Sequence, residues 1–295
     1  GPGAQAGLPS GSNGFPGYSA SQAGSWDQTS YAGYVDLDLS WTEAFSTDIA
    51  VRYEDFSEFG STTDGKIAVR YEISPDWAVR GAVSTGFRAP TPGQLNSTRT
   101  SQGLDTPTLQ LFTAGRLSPS NPVAQFFGAK PLEPETSKNF SVGLVYRSAE
   151  HGLSGSVDYY QIEVDDRFAT SPNFTVTPAI RTQLLALGVP GADSLTSVSY
   201  FTNAFNTRTK GLDAVGSWKT KLAEGDLTLT AAYNWNDTKV TRSKLTEVSK
   251  LARINIEDGL PEHTGNIAAT YAYGRYEGTA RVRYYGEWTD AQSQS

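Results

Sequence analysis

The chain has no cysteine and no methionine, and only two of its 295 residues are histidine. Without cysteine there can be no disulfide, no thiol nucleophile and no thiolate metal site. Without methionine the chain opens at Gly1 with no initiator, and no basic-then-apolar leader follows it, so it reads as a fragment of a longer protein. Long hydrophobic runs are missing too. The longest aliphatic stretch, Leu184 to Leu187, is four residues, so no helix here can span a bilayer. Basic residues are outnumbered 24 to 31, giving a formal charge of −7. With no basic stripe to neutralise phosphates, nucleic acid is excluded as a partner.

What remains is rich in aromatics (12%) and in glycine (29 residues). Residues 1–28 are rich in Gly, Ser and Pro and carry no period, which predicts a flexible loop remnant, extracellular in the architecture developed below. From Tyr31 onward a period of two takes over: Tyr31, Gly33, Val35, Leu37, Leu39 and Trp41 alternate with Ala32, Tyr34, Asp36, Asp38 and Ser40. The same alternation returns around Val51, Val69, Val83, Val142, Val157, Ala214, Leu229, Ala269 and Val282, so ten strands are expected, each apolar on one face only. Their connections alternate in length. Short turns fall at 42–47, 74–76, 148–152, 222–226 and 273–276, whereas 88–137, 167–207 and 238–263 are long and only 57–64 is brief. Compact soluble domains rarely carry such loops, and a soluble β-sandwich leaves the asymmetry unexplained. Tight turns on one rim and long loops on the other suit an antiparallel transmembrane β-barrel, with Trp41, Trp77, Tyr233, Trp235, Tyr284 and Trp288 near strand ends as its aromatic girdles.

The strand ending Gly86-Phe87-Arg88-Ala89-Pro90, followed by LEPETSKNFSVGLVY (132–146), LSGSVDYYQIEVDDR (153–167), NAFNTRTKGLDA (203–214), LTLTAAYNWNDT (227–238), LPEHTGNIAATY (260–271) and VRYYGEW (282–288), resembles the outer-membrane TonB-dependent receptors of Gram-negative bacteria. Such barrels have roughly 22 strands and a plugged lumen. The resemblance therefore implies that residues 29–295 are an all-β segment of about ten barrel strands, about the tenth to the nineteenth, without the plug, the TonB-contacting box or the last strands. An open, curved antiparallel sheet is the expected shape.

Little points to catalysis. His151 lies in a turn, expected to be solvated, and His263 is expected to be a loop or rim residue; they show no ligand spacing. Glu163, Asp165 and Asp166 are expected where a strand emerges into solvent. The Asn96, Asn139, Asn173 and Asn236 sequons carry no meaning in a bacterial protein, and no phosphate-binding loop, dinucleotide fingerprint or hydrolase elbow is present. No enzyme, metal or cofactor is implied.

The resemblance implies active transport of a scarce solute across the outer membrane. The solute would be a ferric siderophore or other metal chelate, with cobalamin or oligosaccharide also open, and the partners a plug domain, TonB and outer-membrane lipid. Candidate solute contacts are the loop residues Arg99, Phe112, Arg116, Phe126, Phe127, Tyr200, Phe201 and Arg208, which could instead pack on one another. Arg52, Arg70, Arg80, Arg88, Arg281 and Arg283, with Glu54, Glu72 and Glu287 as partners, are expected to line a polar lumen. A passive outer-membrane pore and a soluble, secreted adhesive β-domain are the alternatives.

Overall fold

The computed structural model describes residues 24–105, 110–189, 195–243 and 250–291. The expected tail at 1–28 therefore lies outside the described residues except for its last five, which have no regular structure. Ten strands form one continuous antiparallel path: β1 (Ser30–Ser40), β2 (Phe45–Phe56), β3 (Gly60–Glu72), β4 (Trp77–Arg88), β7 (Glu135–Ser148), β8 (Leu153–Thr170), β10 (Ser197–Leu222), β11 (Gly225–Ser243), β12 (His263–Tyr273) and β13 (Tyr276–Tyr285). They are the ten strands that alternation predicts. The path ends on β1 and β13, which do not pair with each other, so the sheet stays open.

The short turns are built from local polar caps and from glycine. Thr42 Oγ1 accepts from the Phe45 amide at 3.0 Å, and Trp41 Nε1 donates to Thr47 Oγ1 at 2.8 Å. Between β7 and β8 the turn needs Gly152, whose φ of +62° is left-handed and whose missing Cβ leaves room for the Lys219 carbonyl of β10.

One face of this sheet is apolar, and it is bare. Val35 is 60% exposed, Ile67 50%, Val83 51% and Val282 72%. A sandwich would bury such a face, and water would oppose leaving it open. Hydrocarbon is the solvent that it fits, because between the two edge strands the backbone groups are paired along the ladder. The strands are also tilted. One row of directly opposed residues runs Leu37, Ile49, Ile67, Val83, Phe140, Gln161, Lys210, Asp237 across eight strands, leaving the middle of the apolar band on β1 and ending among charges on β11. Rows perpendicular to the strands can cross the band obliquely only if the strands themselves are inclined to the membrane.

The long connections depart from expectation. Instead of unstructured loops, the 88–137 segment holds α1 (Pro92–Asn96), β5 (Arg99–Asp105), β6 (Gln110–Leu117) and α2 (Pro122–Phe126), and 167–207 holds β9 (Phe174–Thr175) and α3 (Pro178–Ala186). β6 runs parallel to the start of β10, and β9 pairs with the same stretch. A core of Leu117, Val123, Val176, Leu184, Leu195, Val198 and Tyr200 joins them into a folded cap. Three wall strands outgrow the membrane as a result: β8 has 18 residues, β11 19 and β10 26, where about 9–11 suffice to cross. In the 238–263 connection, α4 (Lys250–Glu257) packs Ile256 against the small core of Ala204, Phe205 and Val240.

One expectation about side chains is corrected. Glu163, Asp165 and Asp166 are not a solvated strand end: β8 continues past them to Thr170, and each carboxylate finds a partner. Glu163 pairs with Arg208 (2.8 Å), Asp165 accepts from Asn206, and Asp166 pairs with Arg242 (2.9 Å). Asp166 takes φ +55° at a register shift where β8 bends, held there by its amide bonding to Asn206 Oδ1. His263 is the first residue of β12, at the rim of the wall, one of its two expected places, and its Nδ1 shares a 2.8 Å hydrogen bond with the Tyr233 hydroxyl. His151 does stand in the β7–β8 turn, its Nδ1 3.0 Å from Ser148 Oγ.

Candidate functional site

The eight loop candidates separate into three groups. Phe126, Phe127 and Tyr200 join Phe174 in one aromatic stack: Phe127 and Phe174 lie 5.4 Å apart, Phe174 and Tyr200 5.7 Å, both nearly parallel, while Phe126 meets Phe127 edge-on at 5.4 Å. The Tyr200 hydroxyl donates to the Phe127 carbonyl at 2.8 Å. Only Phe126 presents an exposed edge. Phe174 was not singled out by sequence reasoning, because a two-residue strand leaves no period to read.

The second group is cationic. β5 and β6 pair so that Arg99 stands directly opposite Arg116, and directly opposed residues share a face with Cβ atoms about 5 Å apart. Arg116 lies over the Phe201 ring at 5.0 Å. Like charges facing across a ladder are unfavourable unless an anion sits between them. Neither guanidinium forms a salt bridge among the described residues, and the Arg116 Nε is buried without a hydrogen-bond partner. Phe112, on the same hairpin, lays its ring over Gly103, where a Cβ would come within 2.6 Å of it.

Arg208 stands apart. It opposes Glu163 and Lys239 and lies in phase with Leu212, Ala214 and Trp218, on the apolar face of the wall rather than beside the other candidates.

On the polar face the expected arginines are present but partly re-paired. Arg52 binds Glu54 (2.7 Å) and Arg70 binds Glu72 (3.3 Å), as expected. Arg80 instead crosses β7 to Asp158 on β8, bidentate at 2.6 and 2.7 Å. Arg88 forms a fork with Glu135 at 2.6 and 2.7 Å and stacks 5.3 Å over Phe168. The Glu135 carboxylate is buried and also accepts from the Phe168 amide at 2.6 Å. These two acidic partners were missed because they lie far from their arginines in sequence. Arg281 and Arg283 sit on the polar face of β13 without a salt bridge among the described residues, and Glu287 follows that strand's end. Nearby, Asn234 donates to Asp213 at 2.6 Å and to the Tyr160 hydroxyl at 3.4 Å.

The Arg80–Asp158 link depends on Gly143, which lies between them; a Cβ there would collide with the Asp158 carboxylate and come within 3.3 Å of Arg80 Nε. Half-exposed ion pairs contribute at most about 1 kcal/mol, so Asp158→Asn should lower the stability of the complete receptor by no more than that. Gly143→Val, which drives both partners aside and puts a branched side chain in the space between them, should cost more. Chemical denaturation of the two variants in detergent micelles checks the order, and a larger loss in Asp158→Asn would refute it.

Among the described residues no group of three His, Asp or Glu could hold a metal ion. The chemistry offered is binding: paired cations and an aromatic cluster in a folded cap, over a wall with a polar, charge-laced face.

Comparison with known proteins is consistent with that geometry. An iron-regulated outer membrane virulence protein of Vibrio cholerae is 28% identical over 139 residues, which are 47% of this chain and 18% of that protein. Among solved structures, a ferric enterobactin receptor (PfeA) variant from Pseudomonas aeruginosa superposes with a TM-score of 0.60 at 15% identity, over 93% of this chain and 35% of that one. The RagAB peptide transporter does so with a TM-score of 0.60 at 13% identity, over 88% and 33%. The chain thus spans about a third or less of each of these three proteins. The family model for the TonB-dependent receptor-like β-barrel matches residues 4–295, and the chain belongs to that family, as part of an outer-membrane barrel.

Proposed function

We propose that this chain supplies wall and outer loops to an active transporter that takes up an anionic metal chelate, a ferric siderophore being the best fit. The observation that carries it is the opposed Arg99–Arg116 pair beside Phe201, two guanidinia on one face with no carboxylate between them among the described residues. Arginine forks suit carboxylate, hydroxamate and catecholate oxygens, and the adjacent ring suits a planar chelating group. The names of the Vibrio and Pseudomonas relatives point the same way, although a peptide transporter shares the fold. In this reading the polar face lines the lumen. Arg52, Glu54, Arg70, Glu72, Arg80, Arg88, Arg281 and Arg283, with Glu287 beyond β13, hold a plug domain, and TonB supplies the energy. Phe126 and Phe112 offer further contact at the cap surface, whereas Phe127 and Tyr200 act by holding it together.

The test is binding of ferric enterobactin to the complete receptor, read by tryptophan quenching. Arg99→Gln with Arg116→Gln should weaken it by about tenfold or more, since hydrogen bonds to charged groups contribute about 1.5–3 kcal/mol. Lysine at both positions should restore only part of the loss, since an ammonium keeps the charge but neither the fork nor the stacking on Phe201. Uptake of radiolabelled chelate by cells with and without TonB separates a transporter from a passive pore: equal uptake would establish the pore, and unchanged affinity in the glutamine variant would remove the arginines from the site.

A further inference from the structure

The polar face of the wall is not uniform. On β2, β3, β4, β7 and β8 ion pairs tie strands together: Lys66 to Asp48, Arg80 to Asp158 and Arg88 to Glu135, each at 2.6 Å. On the same half Asp36, Asp38, Asp64 and Arg147 form no salt bridge among the described residues, so it also presents free charges. At the opposite edge β13 adds Glu277, Arg281 and Arg283.

Between these charged flanks β10, β11 and β12 carry a stripe of hydroxyls and amides. Thr209 opposes Thr238; Asp213 opposes Asn234, which opposes Thr264; Ser217 opposes Thr230; and Lys219 opposes Thr228, which opposes Thr270. Side chains on the stripe bond to one another without a cation: Thr209 to Thr238 at 2.8 Å, Asn236 to Asn234 at 3.1 Å and Asn234 to Asp213 at 2.6 Å. The charges on these rows are Asp213 and Lys219, of opposite sign. Both ends are bounded by pairs that neutralise themselves, Arg242 with Asp166 at 2.9 Å and Lys221 with Asp226 at 2.7 Å. A recess of about 460 Å³ opens on the stripe, lined by Asp213, Asn234 and Asn266 and flanked by Arg80, Asp158 and Arg283, so that its charges cancel by count.

The stripe begins under the arginine site. β10 carries Phe201, and Thr207 follows six residues further along the same strand. There Arg167 donates to Thr207 Oγ1 at 3.2 Å, without a salt bridge among the described residues. From Thr207 to Lys219 is 12 residues, or roughly 40 Å of strand, the depth of a tilted wall.

We propose that the solute crosses the lumen along β10, β11 and β12, and that a plug domain parts from the wall on this side while it stays docked on the charged half. The inference rests on the transporter reading above. Charge-assisted hydrogen bonds are roughly twice as strong as neutral ones, so a plug drawn by TonB separates first where the wall offers hydroxyls and amides. Those groups take water as a partner with little loss. A path must also bind its solute weakly and at several sites in turn. Successive Thr, Asn and Ser side chains do this for the oxygens of a chelate, where a row of free guanidinia would hold an anion and a row of carboxylates would expel it.

The chain has no cysteine, so single thiols report on each side of the lumen. In cells producing the complete receptor, with any cysteine elsewhere in it replaced by serine, Thr230→Cys and Asn266→Cys mark the stripe, and Ala68→Cys and Ala82→Cys mark the charged half. A water-soluble maleimide is added with ferric enterobactin to cells with and without TonB. Labelling at residues 230 and 266 should rise about tenfold with TonB, as an open state populated at about 10% or less becomes the major one, while labelling at 68 and 82 should not change. Thr230→Trp should lower uptake severalfold with chelate affinity unchanged, since it narrows the path and lies away from the arginine pair. A rise at 68 and 82 instead, or equal rises at all four positions, would overturn the proposal, as would no rise at any of them. Uptake measured in the same cells keeps the two readings apart, because only TonB-independent uptake removes the transporter itself.

Discussion

Leu229→Arg should destabilise the complete receptor by up to about 2–4 kcal/mol, the cost that a guanidinium reaches at the bilayer midplane of a barrel wall and that falls toward its rims, whereas Thr230→Arg should cost little. Leu229 lies in the row Trp218, Leu229, Ala269, Ala280 on the apolar face. Thr230 is its neighbour on the other face, opposed by Ser217 and Ala268. One step along a strand reverses the face, so one peptide bond separates a severe variant from a mild one. Leu37→Arg and Asp38→Arg on β1 should repeat the contrast, since Leu37 opposes Ile49 and Asp38 opposes Asp48. Folding into phospholipid vesicles, followed by urea titration, measures each difference. Equal losses at Leu229 and Thr230 would mean that the exposed apolar face does not meet hydrocarbon.

The wall was legible for the reason that makes this test sharp. A half-lipid, half-polar strand must alternate along its whole length, and nine to eleven residues of alternation give a strong signal; Val35 to Val282 could be placed on a face before any coordinate was known. Partners across strands were less legible. Glu54 and Glu72 sit two residues from Arg52 and Arg70 on the same face and were found, but Asp158 lies 78 residues from Arg80. It reaches Arg80 only because Gly143 leaves the intervening strand without a side chain there. Arg208 misled for a related reason. As a cation near the long loops it looked like a solute contact, and only counting its phase from Leu212 through an unbroken register puts it on the outer face.

The cap was least legible, since its helices have five to nine residues and periodicity needs a longer window than that. Local signals are nevertheless present. Thr91, Asn121 and Thr177 each cap a helix that has proline in its first turn. What sequence could not supply is the convergence of Leu117, Leu184 and Val198, from three separate segments, on one core.

That core makes Tyr200 the residue whose loss should most affect binding without touching a solute. It is only 5% exposed, ends the aromatic stack on Phe174 and joins α2 through the Phe127 carbonyl. Truncating a buried aromatic side chain costs about 3–5 kcal/mol, so Tyr200→Ala should unfold the cap locally. The wall should survive, because its ladder continues below through Gly211 and Leu212, which pair with both neighbouring strands. Tyr200→Phe keeps the ring and loses one hydrogen bond, worth about 0.5–1.5 kcal/mol. Chelate affinity should therefore fall by more than tenfold in Tyr200→Ala and by less than about tenfold in Tyr200→Phe. Hydrogen exchange should rise across residues 110–129 and 174–189 in the alanine variant only, and the heat-dependent gel mobility of the barrel should be unchanged in both. If Tyr200→Ala lost affinity with the cap still protected, the hydroxyphenyl ring would be a direct solute contact; if it lost nothing, the cap would not form the entrance, and the case for Arg99 and Arg116 at that entrance would fall with it.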